Sequence, residues 1–462
     1  MADPGPRAPS SKGRGLTGAL LAAALMPLNS TMVAVAVPSI ARTFDHDPAD
    51  VTQALVATYL IAAIALQGPG GKLGDRLGHW RVCVLGQVVI ATGAVVGFVA
   101  PSLPVLAGSR ILMATGGALA VPATVALLRI ELPPDRRARA FGMFGAIMAS
   151  AAALGPIIGG ILVDAFGWQA VFVANLPVLL VAAILVAAID RLRTTRPAAA
   201  FDWPGSLLLT AALALLVIGA ERTDELAALL VGGGLVLMAG FAARERHAAD
   251  PVIAFAIFGS RAFTAGTLLI CLQNLVMYAL IFELPLVLEQ LFDLGARETG
   301  QLLIFLMVAM VLMSLVAGRL TERLGPRTLA VTGSLVCLAG MAILVVQDVA
   351  SPGQVRLPLA LLGVGIGLCS PAAQTASLSA IRPEQSGMAA GVSSTMRYLG
   401  GVAGIAFLGR VLELREGPAA VRDSHHTVTV AFTCVLLAGL ACAALLPGRS
   451  AVAADEPQST RP

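Results

Sequence analysis

Charge is scarce in this chain of 462 residues. Asp, Glu, Lys and Arg together make up 13%, where an ordinary soluble domain carries about 25%. The deficit runs along nearly the whole length, which excludes a soluble domain hung on a single anchor. Lysine is almost missing, present only as Lys12 and Lys72, while arginine is abundant. That bias is the kind a GC-rich bacterial genome encodes. The six cysteines (Cys83, Cys271, Cys337, Cys369, Cys434, Cys442) sit singly inside apolar runs. They lack metal-ligand spacing and read as small buried hydrophobes, which excludes a disulfide framework. The five histidines (His46, His79, His247, His425, His426) read as loop residues, and no metal constellation forms around them. No Gly-x-x-x-x-Gly-Lys-Ser/Thr loop occurs, because Gly71-Lys72 is followed by Leu73. ATP-driven pumping within the chain is therefore not expected. Gly363-Val364-Gly365-Ile366-Gly367 lacks the strand–turn–helix setting of a nucleotide site and reads as helix packing. No nucleophile–base pair emerges, so no enzyme activity, cofactor or metal is expected.

What fills the chain instead is hydrocarbon. Hydrophobic residues reach 57% and mean hydropathy is +0.85. A bilayer core about 30 Å thick needs roughly 20 apolar residues per helix. Fourteen runs qualify, with ends good to a few residues. They are Leu16–Val37, Val51–Gly70, Val82–Ala100, Val105–Leu128, Ala140–Val163, Ala170–Ile189, Pro204–Ala220, Leu226–Ala243, Phe263–Leu288, Gly300–Ala317, Leu329–Val346, Leu357–Ala376, Met388–Leu408 and Val428–Leu446. Each is expected to be helical, since lipid satisfies no open strand edge. The first run follows a polar stretch with Arg7, Lys12 and Arg14. It is long and followed by further spans, so it reads as a permanent helix and not a signal peptide.

Loop charges orient the expected spans. With the N-terminus in the cytoplasm, most Lys and Arg fall on the cytoplasmic side. Outside fall Arg42, Arg222, Arg297, Arg356, Arg410, Arg415 and Arg422, and within spans fall Arg110 and Arg397. This is the positive-inside bias, and an even span count puts both termini inside.

An internal repeat divides the chain. Gly71-Lys72-Leu73-Gly74-Asp75-Arg76-Leu77-Gly78 returns as Gly318-Arg319-Leu320-Thr321-Glu322-Arg323-Leu324-Gly325, offset by 247 residues. Pro122 and Pro371, and likewise Gly142 and Gly391, are 249 apart. The chain therefore reads as two six-helix halves related by duplication, with spans seven and eight inserted between them. The expected boundaries are a cytoplasmic tail 1–15, a first half 16–190, an inserted region 191–261, a second half 262–447 and a cytoplasmic tail 448–462. In the repeated loop the glycines permit a tight turn. Asp75 can cap or charge-match a helix N-terminus, and Arg76 and Arg81 can pair with acids or helix C-terminal carbonyls.

That loop resembles the signature between the second and third helices of the major facilitator superfamily, and the resemblance runs from about Leu16 to Leu446. Gly155-Pro156-Ile157-Ile158-Gly159-Gly160, after the small residues Gly142, Gly145, Ala146, Ala149 and Ser150, is similar to the motif associated with the superfamily's antiporters. Its small residues suit close helix approach, and Pro156 favours a kink. Gly167-Trp168-Gln169-Ala170-Val171-Phe172-Val173-Ala174-Asn175-Leu176-Pro177 resembles the fourteen-helix drug:proton antiporter branch. The fold implied is an all-α integral membrane protein, two pseudo-symmetric six-helix halves plus two inserted helices. Rocking of the halves about a midplane cavity would move the substrate.

The resemblance implies export of a small amphipathic or cationic compound, a drug or natural product, across the cytoplasmic membrane in exchange for protons. It further implies a monomer in the lipid bilayer, with no nucleic-acid partner. Uptake by a symporter or facilitator of the same fold is the alternative. A non-transporting sensor or scaffold would need a soluble output domain, which the short loops do not hold. Cavity-lining candidates are Asn29, Thr31, Arg110, Gln273, Asn274 and Arg397. The cytoplasmic gate would comprise Gly71, Asp75, Arg76, Gly78 and Arg81 with Gly318, Glu322, Arg323 and Gly325. Ionisable side chains at bilayer depth are costly and functional by default. The drug:proton branch usually has Asp where this chain has Asn29, which cannot carry a proton. Met113 and Ala114 likewise stand where Gln and Gly are usual after the arginine of the fourth span. Of the 27 acidic residues only Glu283 falls clearly inside a span. It is therefore the expected proton carrier, with Gln273 on a similar side of the same helix and Arg110 as a second coupling candidate.

Overall fold

A computed structural model describes residues 11–46, 50–51, 53–187, 202–221, 225–248, 251–294, 296–347, 351–412 and 418–448. Residues 1–10 and 449–462 of the expected tails, residues 188–201, and Arg222 and Arg415 of the charge map lie outside the described residues. Among the described residues there is no strand. With backbone groups in lipid obliged to pair within their own segment, the described part of the apolar runs falls on helix, apart from the turn at Ala174 and the end residues Val99, Ala100, Leu445 and Leu446.

The helices are α1 (Ser11–Phe44), α2 (Thr58–Leu77, entered through a π-helical turn at Gln53–Ala57), α3 (His79–Phe98), α4 (Leu103–Glu131) and α5 (Pro134–Phe166). Then come α6 (Ala170–Val173), α7 (Asn175–Ala187), α8 (Trp203–Glu221), α9 (Glu225–Glu245) and α10 (Arg261–Phe292). The last five are α11 (Ala296–Leu324), α12 (Pro326–Val346), α13 (Arg356–Ser379), α14 (Ser386–Leu412) and α15 (Pro418–Ala444). Among the described residues, 11 helices are long and apolar enough to cross a membrane, and the shorter apolar helices Ala170–Val186 and Trp203–Gly219 stand at the sixth and seventh runs. α14 occupies the thirteenth run with a backbone rich in glycine and serine and with Arg397 inside it. Prolines lie inside α1, α2, α4, α5 and α13, as membrane helices tolerate where neighbours re-satisfy the freed carbonyls.

The chain divides into two compact units. The first holds Met1–Leu132, Ala151–Ser206 and Pro383–Val392; the second holds Pro133–Ser150, Leu207–Arg382 and Ser393–Pro462. α5 and α14 each contribute one part to each unit.

In the first unit α3 crosses α4 with backbones nearly touching. A methyl group added at Gly86 would lie 2.6 Å from the carbonyl oxygen of Gly116. Such approach lets dispersion and polar contacts act where lipid supplies no hydrophobic drive. The second unit repeats the crossing between α12 and α13, where a methyl at Gly333 would lie 2.7 Å from the carbonyl oxygen of Gly365. Gly333 follows Gly86 by 247 residues and Gly365 follows Gly116 by 249, the offsets of the repeat. The second unit also carries an apolar cluster built from Val276, Leu280, Leu284, Leu288, Leu306, Met341, Leu359, Val428 and Phe432, among others.

Candidate functional site

In the first unit the polar residues of α1, α2 and α4 meet around Arg110. Its side chain is fully buried, 0% exposed, so it does not reach outward to water as a residue near a span end can. Arg110 Nε donates to the carbonyl of Leu55 at 3.1 Å and Nη2 to the carbonyl of Asn29 at 3.2 Å. The guanidinium carbon lies 4.1 Å from the centre of the Tyr59 ring. A planar guanidinium has the fork to hold two carbonyls while stacking on an aromatic face. Tyr59 is fixed in turn by donating its hydroxyl to the carbonyl of Met26 at 2.8 Å. Asn29 thus meets Arg110 through its backbone. Its side chain is buried and its Oδ1 has no hydrogen-bond partner among the described residues.

Thr31 stands two residues further along α1 and faces α5. It donates to the carbonyl of Ala152 at 3.0 Å, with the carbonyls of Pro27 and Leu28 of its own helix slightly further away. A methyl at Gly155 would strike Thr31 Oγ1, and one at Gly159 would lie 2.7 Å from the carbonyl of Met32. Gly155 and Gly159, one turn apart, form the stripe on which α1 rests. Pro156 is exposed and Gly160 half-buried, so the six-residue motif divides between a packed and an open face.

The first repeated loop is less a loop than a helix end. Gly71 to Leu77 complete α2, and the turn itself is made by Gly78, at φ 92°, a conformation costly for residues with a Cβ. Gly71 allows close approach instead: its Cα faces the backbone of Gly387. Asp75 is 7% exposed and accepts the N–H groups of Gly387 and Met388, both at 2.7 Å, one on each carboxylate oxygen. These are the first amides of α14, whose opening turn has no partner inside its own helix. An anion there also complements the helix dipole. His79 Nε2 lies 3.4 Å from Asp75 Oδ1, and Arg129, from the last turn of α4, donates to Ser386 Oγ. Arg76 is half-buried and Arg81 exposed.

The second unit holds the other copy. Gly325 makes its turn at φ 85°, and Gly318 lies against the backbone of Ala138 and Arg139 in the opening of α5. Glu322 accepts from Arg139 Nη2 at 3.0 Å. Arg139 is 56% exposed. The aligned acids therefore differ: the shorter Asp75 binds backbone amides, while Glu322 reaches a side chain. Arg323 is exposed. A further matched pair is Gly391 against the carbonyl of Gln67 and Gly142 against the carbonyl of Ser314.

The remaining candidates are dispersed within the second unit. Arg397 Nη2 donates to Gln374 Oε1 at 3.1 Å. Asn274 turns its amide back to the carbonyl of Ile270 at 2.8 Å, and Gln273 is buried. Gln273 and Glu283, ten residues apart on one helix, are separated by about 15 Å of rise, so they share no contact.

Glu283 meets a residue that sequence reasoning missed. Its side chain is 0% exposed, and Oε1 lies 2.8 Å from Nδ1 of His425, itself 6% exposed. His425 and His426 belong to α15, which begins at Pro418, ten residues before the apolar run that marked it. The expectation that all five histidines lie in loops is thus corrected: His79 opens α3, and His425 and His426 are helical. The reason is that a helix does not stop where its apolar stretch does. The signal was present as Ser424-His425 preceding Val428-Thr429 with buried positions recurring at helical spacing. Among the described residues no group of three or more His, Cys, Asp or Glu could hold a metal ion.

Comparison with known proteins agrees with this architecture. The chain is 32% identical over 405 residues to the "Tetracenomycin C resistance and export protein" of Streptomyces glaucescens, covering 85% of this chain and 74% of that one. It is 31% identical over 469 aligned positions to the "Puromycin resistance protein pur8" of Streptomyces alboniger, covering 96% and 92%. In fold it superposes on the human organic anion transporter MFSD10 with a TM-score of 0.67 at 16% identity, over 93% of this chain and 99% of that one. The family model for the Major Facilitator Superfamily matches residues 19–405, and with the helical bundle and the doubled loop in view, the chain belongs to that superfamily of membrane transporters.

Proposed function

We propose that this protein exports a small amphipathic or cationic drug or natural product across the cytoplasmic membrane in exchange for protons. The single observation that carries proton exchange is Glu283, an acidic side chain fully buried inside an apolar cluster. A carboxyl group in such a place is costly unless it is paired or protonated. Export of a toxic compound is the reading that the relatives' printed activities favour, tetracenomycin C export and puromycin resistance. In this reading Arg110, held over Tyr59, and Asn29 are the substrate-contacting candidates of the first unit, and Arg397 is that of the second. Thr31, Gln273 and Asn274 belong to its walls. Asp75 with Gly387 and Met388, and Glu322 with Arg139, close the cytoplasmic side when the carrier faces outward. Both termini lie in the cytoplasm.

Everted membrane vesicles with an acid lumen test this directly, with ethidium and puromycin as probes. Uptake of either probe that stops when the pH gradient is collapsed is the expected result. Uptake that continues unchanged after collapse would replace exchange by facilitated movement.

A further inference from the structure

Glu283 is held by one oxygen only. Oε1 faces His425 Nδ1 at 2.8 Å, while Oε2, equally buried, has no hydrogen-bond partner among the described residues. A carboxylate only accepts, so the ring donates Nδ1–H to it and is the neutral Nδ1–H tautomer or the cation. Beside His425, on the side away from Glu283, lies a cavity of about 30 Å³ lined by Leu291, Gln347, Arg422, His425 and His426 among others. A water needs roughly 10–15 Å³ and a few polar partners; this cavity offers both.

We infer that His425 is the positioning residue of the proton site: its ring fixes Oε1, which leaves Oε2 of Glu283 as the atom that takes up and gives back the proton. The cavity wall is His425 and not Glu283, so Oε2 exchanges its proton with water admitted to it during the transport cycle. On loading, an O–H bond forms at Oε2 as an O–H bond of a hydronium ion breaks; neutral water leaves and the charge of the carboxyl group rises from −1 to 0. On release the same bond breaks. The inference rests on the proton-exchange reading above.

Other charged groups around the pair are few. α15 carries Arg422, Asp423 and His426, all exposed, with Arg422 and His426 on the cavity wall. α12 brings the buried thiol Cys337 to the surrounding cluster and is followed by Gln347. At the start of α11 Glu298 is exposed, and at the start of α13 Arg356 is placed over Phe305. Asp293, after α10, is exposed. In the second unit the described buried charged side chains are Glu283, His425 and Glu245, and Glu245 lies at the end of α9 against the amide of Ile253.

The test is infrared difference spectroscopy of the purified full chain in lipid nanodiscs across a pH series, following the C=O stretch of a protonated carboxylic acid. The wild-type protein should show a band that E283Q lacks. In H425L the C=O at Oε1 loses its donor, so the band should move to higher wavenumber. H425Q, which keeps an N–H donor, should restore part of the wild-type position. H425A asks the same question should H425L not be monodisperse. A band unchanged in wavenumber in the leucine or alanine variant overturns the inference. These arms need no substrate. A band that behaves as expected, in a protein whose probe uptake ignores the pH gradient, would remove proton exchange and leave the pair standing.

Discussion

At the scale of single residues the buried charges set the terms. Arg110 satisfies two carbonyls and one aromatic face from a site with no exposure. Arg110→Lys keeps the charge but cannot present the planar fork, so one carbonyl and the ring face lose their partner. The expected cost is about 1–3 kcal/mol of stability, read as a lower melting temperature of the detergent-purified protein. Tyr59→Phe removes only the bond to the Met26 carbonyl and keeps the ring, for a cost of about 1 kcal/mol. A larger loss in the second variant than in the first would show that the hydroxyl, not the guanidinium, anchors the cluster. Arg110 and Arg397 were legible in the sequence because arginine inside an apolar run is conspicuous. Their partners were not, because backbone carbonyls carry no residue signature. Asn29 shows the limit: its side chain drew notice, yet its backbone makes the recorded bond.

At the scale of helices the close crossings decide. Gly155 sits where any side chain would strike Thr31. Gly155→Val is expected to push α1 and α5 apart and to lower the folded yield, while Gly160→Ala, with nothing nearer than 3.9 Å, should be tolerated. Expression and size-exclusion profiles of the two variants check this. The two acids of the repeat make a second contrast. Asp75→Ala removes two charge-assisted acceptors from the start of α14, a loss of about 1–2 kcal/mol. Glu322→Ala breaks a pair whose arginine is 56% exposed, worth at most about 1 kcal/mol. Thermal unfolding of both variants should rank them in that order. Helix positions were readable because hydrophobic length in a bilayer leaves one secondary structure available. Helix ends were not. α15 runs ten residues beyond its apolar stretch, and that overhang is where His425 finds Glu283.

At the scale of the whole molecule, the proposed orientation rests on arginine distribution and is open to direct labelling. Cysteine placed at Asp45, beyond α1, should react with a membrane-impermeant maleimide in intact cells. Cysteine placed at Asp135, at the start of α5, should react only after permeabilisation. The opposite pattern would invert the proposed topology. The duplication was legible from the doubled loop, whose spacing of 247 residues also matches Gly86 with Gly333. The segments that α5 and α14 lend to the two units were not legible, because an apolar run reports that a helix exists and not which neighbours it serves.

The bonds between Asp75 and the amides of Gly387 and Met388 span 312 and 313 residues of chain. A ribosome elongating at about 5–20 residues per second needs roughly 15–60 s to cover that distance. For that interval the carboxylate of Asp75 exists without the helix end that receives it in the finished protein. The first unit therefore completes its assembly only after two of the second unit's three segments, Pro133–Ser150 and Leu207–Arg382, have been synthesised. A nascent chain arrested before Pro383 should leave α2 with its closing turn unlatched.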